Sequence, residues 1–277
     1  LRADKNLSSH VAEAENANIW THLSEIEFIF RHALLRDAAY SMHLLSRQRE
    51  LHGLAVSAME TVYQDDLEPH YGELAYHAEH ANLDEKALHY LKLAADFASQ
   101  AYQNAQAIDY LTRALTRIPQ NEARARFEIL FKRAIIYFNI GNWANEDSDL
   151  TTLEEIAVNL KDNRLLGRVL MRRTYYFATK GENFVAISFG ERAIPLAKAA
   201  NDLETLNGVY NVLPSAFTRV GHLDEAFASA QEALELSRST KNRLGEGNAL
   251  TSLGLIALEN KGPSEAHQYQ TLALEIA

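Results

Sequence analysis

The 277-residue chain has no cysteine, so disulfides, thiolate metal sites and cysteine nucleophiles are excluded. The absence of cysteine also fits a reducing cytoplasm, the expected location. Proline and glycine number only 5 and 12, too few for the turns of an all-β sandwich. No apolar run approaches the roughly 20 residues that span a bilayer, so no membrane role is expected. Basic residues are outnumbered, 27 Lys and Arg against 37 Asp and Glu, leaving a formal net charge of −10. Such a surface repels a nucleic-acid duplex, and direct nucleic-acid binding is not expected. The opening Leu1-Arg2-Ala3-Asp4-Lys5 lacks the pattern of a signal peptide. The chain stops at Ala277 inside a predicted helix, so a piece of a longer protein is expected.

What is abundant is helix-forming. The 41 alanines and 38 leucines make up about 29% of the residues. Apolar residues recur every three or four positions, as in Leu88, Leu91, Ala94, Ala95 and Ala98. The exception lies near the start, where Ala17–Trp20 and Glu27–Phe30 read as two short strands around a turn.

Three classes of residue share one forty-residue period. Gly141, Gly181 and Gly221 are predicted to close helices in the left-handed region. Ala186, Ala226 and Ala266, with Ala193, Ala233 and Ala273, are small residues on one face that let helices approach. Asp162, Asp202 and Asn242 are predicted N-caps. Each period is therefore one antiparallel helix pair, which cannot bury its apolar face without a stacked neighbour. The period around Gly141 is degenerate, with Glu146 and Leu153 where alanine is expected.

These positions resemble the tetratricopeptide repeat. Tyr210, Leu213 and Phe217 match its first helix, Gly221 its turn, and Ala226, Ala230 and Ala233 its second helix. The resemblance implies an all-α fold, a helical-hairpin superhelix or α-solenoid, over residues 66–277, with first helices lining a groove that binds a protein, a peptide or another domain of the parent. Mapping the repeat assigns Arg168, Arg172, Tyr175, Asn211, Ser215, Arg219, Asn248, Thr251 and Leu255 to that groove. For Arg168, Arg172 and Arg173 the alternative is a solvated helix face. The family's carboxylate clamp is not expected, because only Asn211 and the arginine pair hint at it. Pro195 is expected to kink its helix, and Pro214 to sit at a tight contact.

Residues 1–65 differ. Phe28-Ile29-Phe30-Arg31-His32-Ala33-Leu34, then Ala38-Ala39-Tyr40 and Arg49-Glu50-Leu51-His52, resemble the end of the winged-helix region in bacterial signalling ATPases of the AAA/STAND type. Such regions precede helical arrays in multidomain nucleotide cyclases and in ATP-dependent transcription activators. The resemblance implies ATP or ADP in an upstream module, with His32 near the β-phosphate, or else a half-buried His at a helix start. No Gly-x-x-x-x-Gly-Lys-Ser/Thr occurs, so no ATP hydrolysis and no cofactor of its own are expected of this chain. Nor does any Ser-His-Asp arrangement or acid–base pair stand out.

Nine of the 11 histidines precede residue 90, densest at His70, Glu73, His77, Glu79 and His80. The spacing is not that of a His-Glu-x-x-His metal helix, and a polar face with histidines packed between layers is expected instead. The reading is a non-catalytic interaction or sensor module of a signalling protein. Its alternatives are the regulatory part of a nucleotide cyclase, through His32, or an arm of a transcription activator.

Overall fold

The structure is a computed structural model that describes residues 7–22, 28–30, 33–260 and 262–276. In chain order it begins with α1 (Leu7–Asn16), β1 (Trp20–His22), β2 (Phe28–Phe30), α2 (Ala33–Ser41) and α3 (Leu45–Val62). A 3-10 turn (Glu68–His70) leads into α4 (Tyr71–His80), α5 (Asp84–Gln100) and α6 (Asn104–Arg117). Then come α7 (Ala123–Asn139), α8 (Trp143–Asn159), α9 (Asn163–Thr179) and α10 (Asn183–Ala199). The last four helices are α11 (Leu203–Arg219), α12 (Leu223–Ser239), α13 (Arg243–Asn260) and α14 (Pro263–Ile276). None of the described helices is long and apolar enough to cross a membrane.

The chain forms two compact units, Leu1–Pro119 and Gln120–Ala277. This cut differs from the one drawn on motif type at 65/66, since α4 to α6 lie in the first unit. There two strands pair antiparallel with Trp20 opposite Phe30; the second falls where expected, while the first, Trp20–His22, shares only Trp20 with the expected 17–20. Within residues 1–65 the described residues hold three helices, α1 to α3, and this one hairpin. Helices α3 to α6 pack in succession around Val56, Leu74, Leu91 and Leu111, with Ala78, Ala87, Ala94, Ala98 and Ala107 fully or almost fully buried between them. Alanine at these contacts costs no side-chain entropy and allows close approach.

The second unit is a stack of antiparallel helix pairs, and α7 to α12 are each 17 residues long. Its turns recur every twenty residues, because Lys161, Asn201 and Lys241 adopt positive φ (50° to 55°) midway between Gly141, Gly181 and Gly221 (70° to 82°). At all six, the next backbone N–H reaches back five residues, as from Asp202 to the Ala197 carbonyl at 2.9 Å and from Asn242 to that of Ser237 at 2.8 Å. Alternate turns thus share one geometry on different residues. A non-glycine residue in the left-handed region costs about 1 kcal/mol or more. The cap that follows each such turn offsets this: Asp162 accepts from the N–H groups of Arg164 and Leu165, Asp202 from Thr205, and Asn242 from Gly245.

Packing between pairs is set by Leu170, Val209, Leu213, Leu250 and Leu253, all 2% exposed or less. Each such leucine contributes about 1.5–3 kcal/mol by leaving water. Gly190 is needed for this contact, since a Cβ there would stand 2.7 Å from Leu213 Cδ2. Pro214 is buried within α11, and α10 continues past the exposed Pro195 to Ala199.

Candidate interaction face

Helices α9, α11 and α13 are neighbours in that order. Each turns one strip outward at three- and four-residue spacing, the geometry of a single helix face. On α11 the strip is Asn211, Ser215 and Arg219, all exposed and without a side-chain partner among the described residues. On α13 it is Asn248, Thr251 and Leu255, with Leu244 and Leu258 beside them. Leu244 is 76% exposed and Leu255 56%. Thr251 donates its hydroxyl to the Gly247 carbonyl at 2.8 Å, so only its acceptor capacity and methyl group remain. Six of the nine residues assigned to the groove from sequence therefore lie on two adjacent exposed strips.

The other three sit on α9 and behave differently. Arg168 is clasped by Glu128 through two hydrogen bonds of 2.7 and 3.3 Å, and its guanidinium lies 4.3 Å from the Phe131 ring centre. Tyr175 is half-buried, edge-on to Phe138 at 6.3 Å, and burial pushes its phenol up. Arg172 is not on the face. It shares the buried strip of Leu165, Val169 and Tyr176 and is 8% exposed. Its Nη2 donates to Glu146 Oε1 at 3.0 Å, and its guanidinium lies 4.6 Å from the Phe138 ring. Arg173 is also buried, donating to Glu154 at 2.8 Å, Asp147 at 3.1 Å and Thr151 at 3.2 Å. The solvated-face alternative therefore describes neither Arg172 nor Arg173, and a clamp for a terminal carboxylate has lost its arginines to Glu128 and Glu146.

Glu146, marked in the repeat only as a departure from alanine, is the partner that the sequence reading did not assign to Arg172. It is 0% exposed in the register that Ala186, Ala226 and Ala266 fill elsewhere. A charged residue in an alanine register was the available signal. Burial pushes its carboxyl up to about 7, against the pull of Arg172. Its Oε2 and the Nε of Arg172 lack partners among the described residues.

In the first unit the histidines gather between α3 and α4. His52 is buried, with Nδ1 2.8 Å from His77 Nδ1 and Nε2 3.1 Å from the Tyr40 hydroxyl. A short contact between two ring nitrogens requires one to donate and the other to accept, so the accepting ring is neutral. Burial, then their mutual repulsion, lowers the His52 pKa; burial lowers that of His77. His80 is tied to the Tyr76 carbonyl at 2.8 Å, His70 stacks on Tyr63, and Glu79 is held by Arg113 and Arg117. No metal-holding group of His, Asp and Glu occurs among the described residues. His32 lies outside the described residues.

No family model and no curated protein matches this chain. Solved structures do match in fold. BtubC from P. vanneervenii superposes with a TM-score of 0.62 at 14% identity, over 84% of this chain and 91% of that one. Aspartyl phosphate phosphatase F from Bacillus subtilis gives 0.58 at 12% identity over 88% and 74%. A Rap protein complexed with competence and sporulation factor gives 0.57 at 14% identity over 88% and 70%. A putative kinesin light chain with nearly identical tetratricopeptide-like repeats, from Podosopora anserina, gives 0.56 at 14% identity over 68% and 94%. The fold is an all-α tetratricopeptide-like helical repeat.

Proposed function

We propose that this chain is a non-catalytic protein-interaction module whose α11–α13 face receives a segment of a protein partner or of another domain of a longer parent. One observation carries this reading: amide, hydroxyl, guanidinium and leucine side chains stand exposed on two contiguous helices in the same register. Such a strip can hydrogen-bond an extended or helical segment and cover its apolar side chains. Two similar folds were solved as complexes, the Rap protein with competence and sporulation factor and the Cut9–Hcn1 hetero-tetramer. That precedent supports docking as the use of the fold.

The finer reading places the chain downstream of a nucleotide-dependent switch, as the arm of a signalling ATPase that regulates an output domain. The motif from Phe28 to Tyr40, with Arg49 to His52, supports it. ATP or ADP then belongs to the upstream module, and His32 is the contact this chain adds. A partner can bias such a switch only through different affinities for its two states.

The test places a photo-crosslinking amino acid at Ser215 in the full-length protein. It is expected to capture one discrete partner segment, and Arg219→Glu is expected to reduce that capture at least about tenfold, a loss of ~1.4 kcal/mol or more. Equal capture from Glu225 on α12, or indifference to Arg219→Glu, overturns the reading.

A further inference from the structure

Successive helix pairs present the same lattice positions, so a missing side chain shows as a hole. Positions 149, 189, 229 and 269 are equivalent and carry Asp149, Phe189, Ser229 and Tyr269. Phe189 stacks on Phe177 with ring centres 5.3 Å apart and fills its place over α9. At Ser229 there is no ring, and a cavity of about 360 Å³ opens between α10 and α12, floored by Tyr210, Leu213 and Phe217 of α11.

The preceding groove shows what this place holds. There the guanidinium of Arg173 lies over α9, 5.7 Å from the Phe189 ring, and is bound by Glu154, Asp147 and Thr151 of α8. One repeat later Arg173 is replaced by Leu213, and the groove has no cation of its own at that position. Its walls change with it: Asp147 and Glu154 become Ile187 and Ile194, while Thr151 becomes Glu191 and Arg192 becomes Glu232, with Glu235 one turn further on, so the carboxylates stand at new positions around the cavity. Glu191 and Glu235 form no ion pair among the described residues. The Tyr210 phenol, raised by burial, also feels Glu232 and Lys198. Ser229 is 7% exposed, lines the cavity, and its Oγ has no partner among the described residues.

We propose that this cavity receives an arginine side chain of a partner polypeptide, in the role that Arg173 plays for the preceding groove. The aliphatic stem lies on Leu213 and Phe217, and the guanidinium meets the carboxylates of Glu191 and Glu235. The site is separate from the α11–α13 strip, so the crosslinking test at Ser215 and the test below can fail independently.

The measurement is a heteronuclear NMR titration of the chain with Nα-acetyl-arginine methylamide, against its neutral isostere Nα-acetyl-citrulline methylamide. Saturable shifts are expected at the amides of Ser229, Gln231 and Glu232. Citrulline is expected to bind about tenfold more weakly, because it loses the charge-assisted bonds. Glu232→Gln with Glu235→Gln is expected to weaken arginine binding about tenfold. Glu204→Gln with Glu225→Gln removes the same charge elsewhere and is expected to leave binding unchanged. Ser229→Phe, which copies Phe189, is expected to abolish binding; should its helicity drop, the paired glutamine variants decide. Equal binding of citrulline, shifts absent from these amides, or equal loss in the control pair overturns the proposal.

Discussion

Two neighbouring junctions of the second unit share a backbone and differ in filling. Where α8 meets α9, the lattice positions hold Glu146, Arg172 and Arg173. One repeat on they hold Ala186, Val212 and Leu213, of which Ala186 and Leu213 are almost fully buried. The turns and helix lengths are the same in both, and Asp162 and Asp202 cap α9 and α11 alike. The difference shows that small residues in this lattice are a means of close approach, and that an ion pair flanked by aromatic rings is another way to fill the space. Phe138, Trp143, Tyr175 and Tyr176 supply those rings, with centroids 5.7 to 6.3 Å apart. The two fillings respond differently to charge.

The sharpest way to break the comparison is to remove one ion. Above pH 7, where the Glu146 carboxyl is ionised, Arg172→Met leaves it buried and unpaired and is expected to cost about 3–5 kcal/mol. The double change Glu146→Ala with Arg172→Val installs the residues found where α10 meets α11 and is expected to recover most of that loss. Urea midpoints of the two variants check this, and a single variant within about 1 kcal/mol of wild type would show that the pair carries no such penalty. The second prediction concerns pH. The folded Glu146 carboxyl holds its proton up to about 7, whereas in the unfolded chain it titrates near its ordinary 4.5. Between those values the folded state binds more protons, so stability falls as pH rises through that window and levels off above it. Glu146→Gln is expected to flatten the slope in a series of melting curves; an unchanged slope assigns it to other groups. The apolar junction gives the smallest effect. Gly190→Ala forces a Cβ against Leu213, which is 2% exposed, and is expected to cost about 1–3 kcal/mol in the same urea assay.

The fold was legible because its signals are local. Gly141, Gly181 and Gly221 are where a left-handed turn is needed, and Asp162, Asp202 and Asn242 cap the helices they precede. Those caps also mark the half-period, but the left-handed turn there was not legible, because Lys161, Asn201 and Lys241 adopt it without glycine and their identity does not announce it. Of the candidate face, Asn211, Ser215, Arg219, Asn248, Thr251 and Leu255 could be placed from the repeat register alone. Arg172 could not. It lies four residues from Arg168, close enough in register to be counted with it, yet it falls on the strip of Leu165, Val169 and Tyr176. Its side chain is accounted for by a glutamate 26 residues away. The cavity at Ser229 was equally out of reach, since a serine on a helix says nothing about the rings that its neighbours in space lack.

Residue order alone determined the helix pairs, their turns and their stacking, because hydrogen bonds and apolar periodicity act over a few residues and repeat along the chain. Tertiary structure decided which cations are consumed inside and which stand free. Charge pairing depends on distance in space and on exclusion of water, and neither is written in the spacing of a single helix.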